Sequence, residues 1–369
     1  MQTVFDQRGN NFDVIRMALS VLVIFSHSYP LGTGTEVHEP MVRLTRGQVT
    51  GGHLAVDLFF IISGFLITAS YERSRTIWSY LKRRVSRIYP GFIVAMLLCA
   101  VVVLPVSGGH LSAPTKAAGV FDFVTQTAQL RPFHYAGAFP GNPFPAEING
   151  SMWSIPYEFW CYIGVILLGV TGMLRSNRTL VTLFAGSILV SLLFAYFHWA
   201  PGGKFLGRIF GYPPFWARLL PMYLAGIVFY RLRAHLSLRS GWILAACAGF
   251  LLAARMPLGW TLLFPVVGTY LVLALAFHPS LQLHGWNRYG DFSYGTYLYA
   301  FPVQQLLMRW IGHPVPVWRL FAMATPLTVL CAFFSWHLVE KRFLQAAHRA
   351  PVEAAAGVKT VAPETVATP

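Results

Sequence analysis

Long apolar runs alternate with short polar segments along almost the whole chain. The runs centre near Leu22, Ile61, Ala95, Ile163, Ile188, Leu224, Ala246, Val267, Val303 and Val329, and the polar breaks fall around 33–51, 70–87, 107–150, 198–214 and 278–291. A bilayer core about 30 Å thick is crossed by about 20 residues of helix. Backbone amides in lipid must bond within their own segment, which selects helices over isolated strands. The pattern therefore predicts an all-α, polytopic transmembrane bundle of about ten helices. No internal repeat is visible. Residues 1–349 read as one membrane domain, and 350–369, rich in Ala, Val, Thr and Pro and lacking aromatic anchors, as a disordered tail.

Composition sharpens this reading. Of 369 residues 55% are hydrophobic, 15% aromatic and only 11% charged, against about a quarter charged in an ordinary soluble domain. Such a chain needs lipid as its solvent. The formal net charge of +15 does not indicate a nucleic-acid partner, because the basic residues are strung between apolar runs. Basic flanks on the cytoplasmic side are the simpler explanation. The cluster Lys82, Arg83, Arg84 and Arg87 places the N-terminus inside, and an even number of spans places both termini in the cytoplasm. No cleavable signal peptide is expected, since the first run begins near Phe12 and contains Arg16. Cys99, Cys161, Cys247 and Cys331 lie inside apolar runs without CxxC spacing, which predicts packed thiols, with no disulfide and no metal site.

Ionisable residues inside spans cost about 2.5–3.5 kcal/mol each on insertion scales, so each demands a reason. Arg16 and His27 in the first run are about three helical turns apart, on one face, separated by a rise of about 16 Å. Asp57 in the second run and Glu158 in the fourth are expected at the outer depth of His27. A carboxylate there would orient the imidazole and raise its basicity. Ion pairs that merely fix packing are the plainer alternative. Arg84 and Arg87, one turn apart, would form with Arg16 a cationic pocket for phosphates, or else serve as topology charges. Ser63 and Gly64 are small residues midway along the second run, suited to a thin ligand or to close helix packing.

These pieces together resemble the membrane-bound acyltransferase-3 family, especially its bacterial members that O-acetylate exopolysaccharides, lipopolysaccharides and nodulation factors. The resemblance is carried in order by Arg16 with His27, VDLFFIISGFLIT around Asp57, RVSRIYP with Arg84 and Arg87, SMWSIPYEFW with Glu158, SYGTYLYAFPV from Ser293, and VEKRF at Val339. It implies about ten helices in a bacterial inner membrane, acetyl-CoA as acyl donor and a carbohydrate hydroxyl as acceptor. His27 inherits the role of the family's catalytic histidine, and Arg84 and Arg87 that of its Arg-x-x-Arg pair. Many relatives carry Trp-His-Trp-Pro where this chain has Tyr299, Ala300, Phe301 and Pro302, which puts more weight on His27. The expected arrangement has Arg16, Arg84 and Arg87 holding the coenzyme's phosphates and its arm passing Ser63 and Gly64. His27 would act as general base beside Glu158 or Asp57. Trp153 and Tyr157 would stack on sugar rings, although interfacial aromatic belts explain them equally. A direct transfer and an acyl-enzyme relay both fit. The competing class is a secondary transporter or flippase of a glycan or acyl compound, in which buried His, Asp and Glu relay protons.

Overall fold

The computed structural model describes residues 9–112, 115–198, 206–278, 281, 283, 290–312 and 314–347. The segment expected to be a disordered tail, 350–369, lies outside them. In chain order the helices are α1 (Phe12–Thr33), α2 (Pro40–Leu44), α3 (Gly51–Glu72), α4 (Ile77–Leu98), α5 (Leu104–Ser107), α6 (Lys116–Ala128) and α7 (Ile155–Val170). They continue with α8 (Asn177–Tyr196), α9 (Leu206–Phe210), α10 (Pro213–Leu232), α11 (Ser240–Arg255), α12 (Gly259–Ala276), α13 (Ser293–Ile311) and α14 (Val317–Ser335). Among the described residues the strands are β1 (His110–Leu111) and β2 (Tyr135–Ala136), an antiparallel ribbon pairing His110 with Ala136. The fold is that of an all-α membrane protein.

Every apolar run of the sequence lies in one of these helices. Among the described residues seven helical segments are long and apolar enough to cross a membrane: Phe12–Thr33, Gly51–Glu72, Ile77–Ser107, Met152–Val170, Asn177–Tyr196, Gly259–Ala276 and Val317–Ala347. The runs near Leu224, Ala246 and Val303 form α10, α11 and α13 but fall short of that measure. Helix α11 has only 16 residues. Helices α10 and α13 carry Arg218 and Arg231, and Gln304, Gln305 and Arg309, on otherwise apolar surfaces. Gln304 and Gln305 are buried in the bundle, Arg218 and Arg231 are half-buried and Arg309 is exposed, and all of them lower the mean hydropathy of their helices.

Helix starts are set by local chemistry. Thr50 accepts a hydrogen bond from the His53 amide at 3.0 Å and opens α3. Thr76 and Ser79 form a reciprocal capping box at the start of α4. Each such cap contributes about 1 kcal/mol. Helix α3 is the central post, packed against α1 on one side and α10 on the other. At the α3–α10 crossing Gly64 faces Gly226, and a methyl group on Gly64 would run into the Tyr223 carbonyl oxygen. Gly64 is thus a helix-contact residue, correcting its expected place along the ligand's path.

The surface fits a lipid environment. Val101, Leu167, Leu189, Leu244 and Leu251 are exposed along the helices, and Trp78, Trp242, Trp310 and Trp318 are exposed near helix ends, where indole rings favour the membrane–water boundary. Cys99 and Cys161 are buried free thiols, as expected, whereas Cys247 is exposed on α11 and Cys331 half-buried. A polarisable thiol is tolerated by lipid, so an apolar setting in sequence does not by itself mean packing inside the protein.

Candidate active site

One end of the bundle gathers guanidinium groups. Helix α1 brings Arg16 and helix α4 brings Arg87 to the same carboxylate oxygen, Asp291 Oδ2, at 3.0 and 2.6 Å. Arg87 also lies 4.0 Å from Glu340. Asp291 sits just before α13 and in turn accepts from the Ser293 hydroxyl at 2.6 Å. Burial alone would raise the Asp291 carboxyl, but Arg16, Arg87 and the Ser293 hydrogen bonds hold it well below the usual carboxylate range. Beside this network opens a chamber of about 170 Å³ lined by Arg16, Ser63, Arg84, Arg87, Glu158 and Tyr297, among others.

The three arginines are not equivalent within the chamber. Arg16 and Arg87 share a single carboxylate, Asp291. Arg84 meets Ser70 at 3.3 Å and lies over the Tyr162 ring, 5.9 Å from its centroid, and its Nε is buried without a partner. Ser63 Oγ is likewise buried and unpartnered. Buried polar atoms are nearly always bonded, so two orphans in one chamber mark places where a polar ligand would complete the structure. Arg83, from the same basic cluster, lines the chamber and bonds Ser74.

The opposite end of α1 carries His27. Its ring is edge-on to Phe301, at 5.3 Å and 80°, and its Nδ1 is buried and unpartnered. A second cavity, of about 60 Å³, is lined here by His27, Glu36, His53, Ser151, Trp153 and Tyr297, with Val23, Thr50, Gly52 and Val56. Val56 and Tyr297 line both cavities. The two spaces therefore meet at a partition about one side chain thick. Tyr297 is held there by a 2.7 Å hydrogen bond between its hydroxyl and Ser154 Oγ.

Neither carboxylate expected beside His27 is there. Asp57 is fully buried and receives Arg218 Nε and Nη2 at 3.1 Å and Trp260 Nε1 at 3.0 Å. It lines neither cavity. Its helix points it toward α10 and α12 rather than toward α1. Glu158 lines the arginine chamber, where it accepts from the Tyr162 hydroxyl at 2.5 Å. Of the two aromatic residues expected to face a sugar, Trp153 lines the cavity, whereas Tyr157 does not. The Tyr157 ring is buried against Trp153, Phe215 and Trp216, and its hydroxyl accepts from the Tyr212 amide at 2.6 Å. It braces Trp153 from behind. Arg16, Arg84, Arg87 and Ser63 line one chamber, and His27 lines the adjoining cavity.

Several residues of the site carried no individual signal. His53 precedes Asp57 by one turn and reads as a helix-start polar residue. Glu36 and Asp291 lie in loops, and Ser151 directly follows the long connection 107–150, which holds several small polar residues of its own. Tyr297 is one tyrosine among 16. Their importance lies in which face they present, a quantity that only packing fixes.

Residues 10–337 match the family model described as acyltransferase domain. The chain belongs to this family, and it is an acyltransferase. It is 26% identical over 353 residues to an O-acetyl transferase of Shigella phage Sf6, covering 91% of this chain and 96% of that one. It is 28% identical over 357 residues to nodulation protein 10 of Rhizobium leguminosarum bv. viciae, covering 90% and 92%. A putative peptidoglycan O-acetyltransferase of Bacillus subtilis (strain 168) is 26% identical over 333 residues, covering 79% of this chain but only 50% of that protein. No solved structure matches the chain.

Proposed function

We propose that this protein is a multi-pass inner-membrane O-acetyltransferase that moves an acetyl group from acetyl-CoA to a hydroxyl of a cell-surface or exported glycan. The observation that carries the reading is the pair of cavities meeting at Tyr297 and Val56, one lined by arginines and the other by His27. In this arrangement residues 1–349 act as one membrane domain of about ten spans, with both termini and the arginine end in the cytoplasm. The basic cluster at the start of α4 supports that orientation.

The arginine chamber suits a polyanionic donor. Arg84 offers a guanidinium edge that no carboxylate occupies, and planar forks bind phosphate oxygens bidentately. Arg16 and Arg87, fixed by Asp291, supply a positive wall without moving. The coenzyme's thin arm would pass Ser63 and bring its thioester to the partition. His27, beyond it, would take the proton of the acceptor hydroxyl as that oxygen attacks the carbonyl carbon. A general base needs no carboxylate partner to accept a proton, and no hydrogen bond occupies His27 Nδ1. Trp153 offers an aromatic face to a sugar ring. Family membership, together with the pairing of Asp57 to Arg218 and Trp260, sets this reading above a transporter with a proton relay through His27, Asp57 and Glu158.

The test is transfer of radiolabelled acetyl from acetyl-CoA by the full chain in lipid nanodiscs to envelope glycan from cells lacking the protein. Wild type should label the glycan. His27→Ala should lower the rate at least about 1000-fold while still binding coenzyme A. Label incorporation by His27→Ala at the wild-type rate would refute the assignment. Mass spectrometry of surface glycans from cells with and without the protein identifies the acceptor.

A further inference from the structure

Helix α7 begins at the histidine cavity, and no side-chain cap closes its start. A 3₁₀ turn, Met152–Ser154, leads into Ile155, and neither Ser151 nor Ser154 makes a side-chain cap hydrogen bond. The first N–H groups of a helix have no intrahelical acceptor, and they carry the positive end of the helix dipole. Independently, Ser151 is only 1% exposed and its Oγ has no partner, yet it lines the cavity that holds His27. A buried serine hydroxyl without a partner, next to the positive end of a helix, is a donor lacking an acceptor.

The surrounding structure holds this set rigidly against α13. Asn149 Nδ2 donates to the Leu298 carbonyl at 2.9 Å, and Asn149 Oδ1 accepts from the Ser151 amide at 3.2 Å. Gln305 donates to the carbonyls of Phe144 and Glu147, both at 2.8 Å. Gly150 is required for close approach, because a methyl group there would overlap the ring of Phe301, the same ring that packs on His27. The loop, the imidazole and the helix start are thus locked to one another through Phe301. Glu158, the acidic residue in the first turn of α7, is turned to the other chamber and to Tyr162. Glu36 and His53 line the same cavity as Ser151.

We infer that the Ser151 hydroxyl, at the positive end of the Met152–Val170 helix, forms the oxyanion site of the transfer reaction. The inference rests on the acetyl-transfer reading and deepens it. His27 takes the proton from the acceptor hydroxyl, whose oxygen forms a bond to the thioester carbonyl carbon. The carbonyl π pair moves to its oxygen, and the Ser151 O–H donates to that oxygen at the positive end of the helix dipole. The pair then returns, the carbon–sulfur bond breaks, and the departing thiolate takes the proton from His27. The products are a glycan O-acetyl ester and free coenzyme A. Donors already fixed in place stabilise such an oxygen far better than water that must reorient.

The test measures acetyl transfer by the full chain in nanodiscs, with acetyl-CoA and glycan from cells lacking the protein as probes. Ser151→Ala should lower kcat about 100-fold with unchanged KM for acetyl-CoA and unchanged coenzyme A binding, and Ser151→Thr should restore most of the rate. Equal kcat in wild type and Ser151→Ala overturns the inference. So does an acetyl group found on Ser151 by mass spectrometry after a rapid quench, since that makes the serine a nucleophile. If Ser151→Ala fails to insert, Ser151→Cys replaces it, with a similar shape and a weak donor; kcat reduced at constant KM supports the inference and kcat unchanged overturns it. A wild-type protein that transfers no acetyl group at all refutes the parent reading instead, a result distinct from active wild type with an equally active Ser151→Ala.

Discussion

The two ends of the bundle hold polar groups in opposite states. At the arginine end, charge is largely matched: Arg16 and Arg87 share Asp291, Glu340 stands behind Arg87, and Glu158 is bonded by Tyr162. At the histidine end His27 Nδ1 and Ser151 Oγ are buried with nothing to bond. A buried charge that has its partner is part of the frame, whereas a buried polar atom without one is available for chemistry. Arg84 and Ser63 are exceptions that sharpen this rule, and Arg84 is the charged one. It stands among paired arginines, yet its Nε is unsatisfied.

The difference can be broken most severely at its framing side. Asp291→Asn leaves two largely buried guanidinium groups without their counter-ion, and removing one partner of a buried pair costs about 3 kcal/mol. Thermal unfolding in nanodiscs should show a clear loss, and a Tm equal to wild type would mean that the network is not structural. The sign of the pH effect follows from the same network. The folded state depresses the Asp291 carboxyl, so its contribution is complete above the unfolded value of about 3.9 and fades only as pH falls below that. Asp291→Asn should abolish this part of the acid dependence.

A smaller effect separates frame from chemistry at Asp57. Asp57→Asn weakens the contacts to Arg218 and Trp260 and should cost about 2 kcal/mol of stability, but should leave the pH profile of kcat/KM unmoved. A shifted profile would return Asp57 to the role of orienting His27. Smallest is Arg84→Gln, which should raise KM for acetyl-CoA about 10-fold, as expected for the loss of one charge-assisted contact, with little change in kcat. An unchanged KM would make Arg84 a topology charge.

Much of this was legible in the chain because the costs are one-dimensional. Apolar length sets helices, and Arg16, Arg84, Arg87 and His27 declare themselves as ionisable groups that lipid should reject. Depth follows from rise per residue, so Asp57 and Glu158 were readable as intramembrane carboxylates. Their azimuth was not. Asp57 pairs with Arg218, 161 positions away, and no periodicity within the second run says which neighbour its face will meet. Gly64 failed for a related reason, since a small residue serves a ligand path and a helix contact equally well. Ser151 carries meaning only because its surroundings leave it unbonded, and no local pattern records an unmade bond.

The Gly64–Gly226 crossing sets the spacing of two central helices. With no side chain between them, α3 and α10 approach more closely than any larger residue would allow, so a methyl group at either position would force the two helices apart.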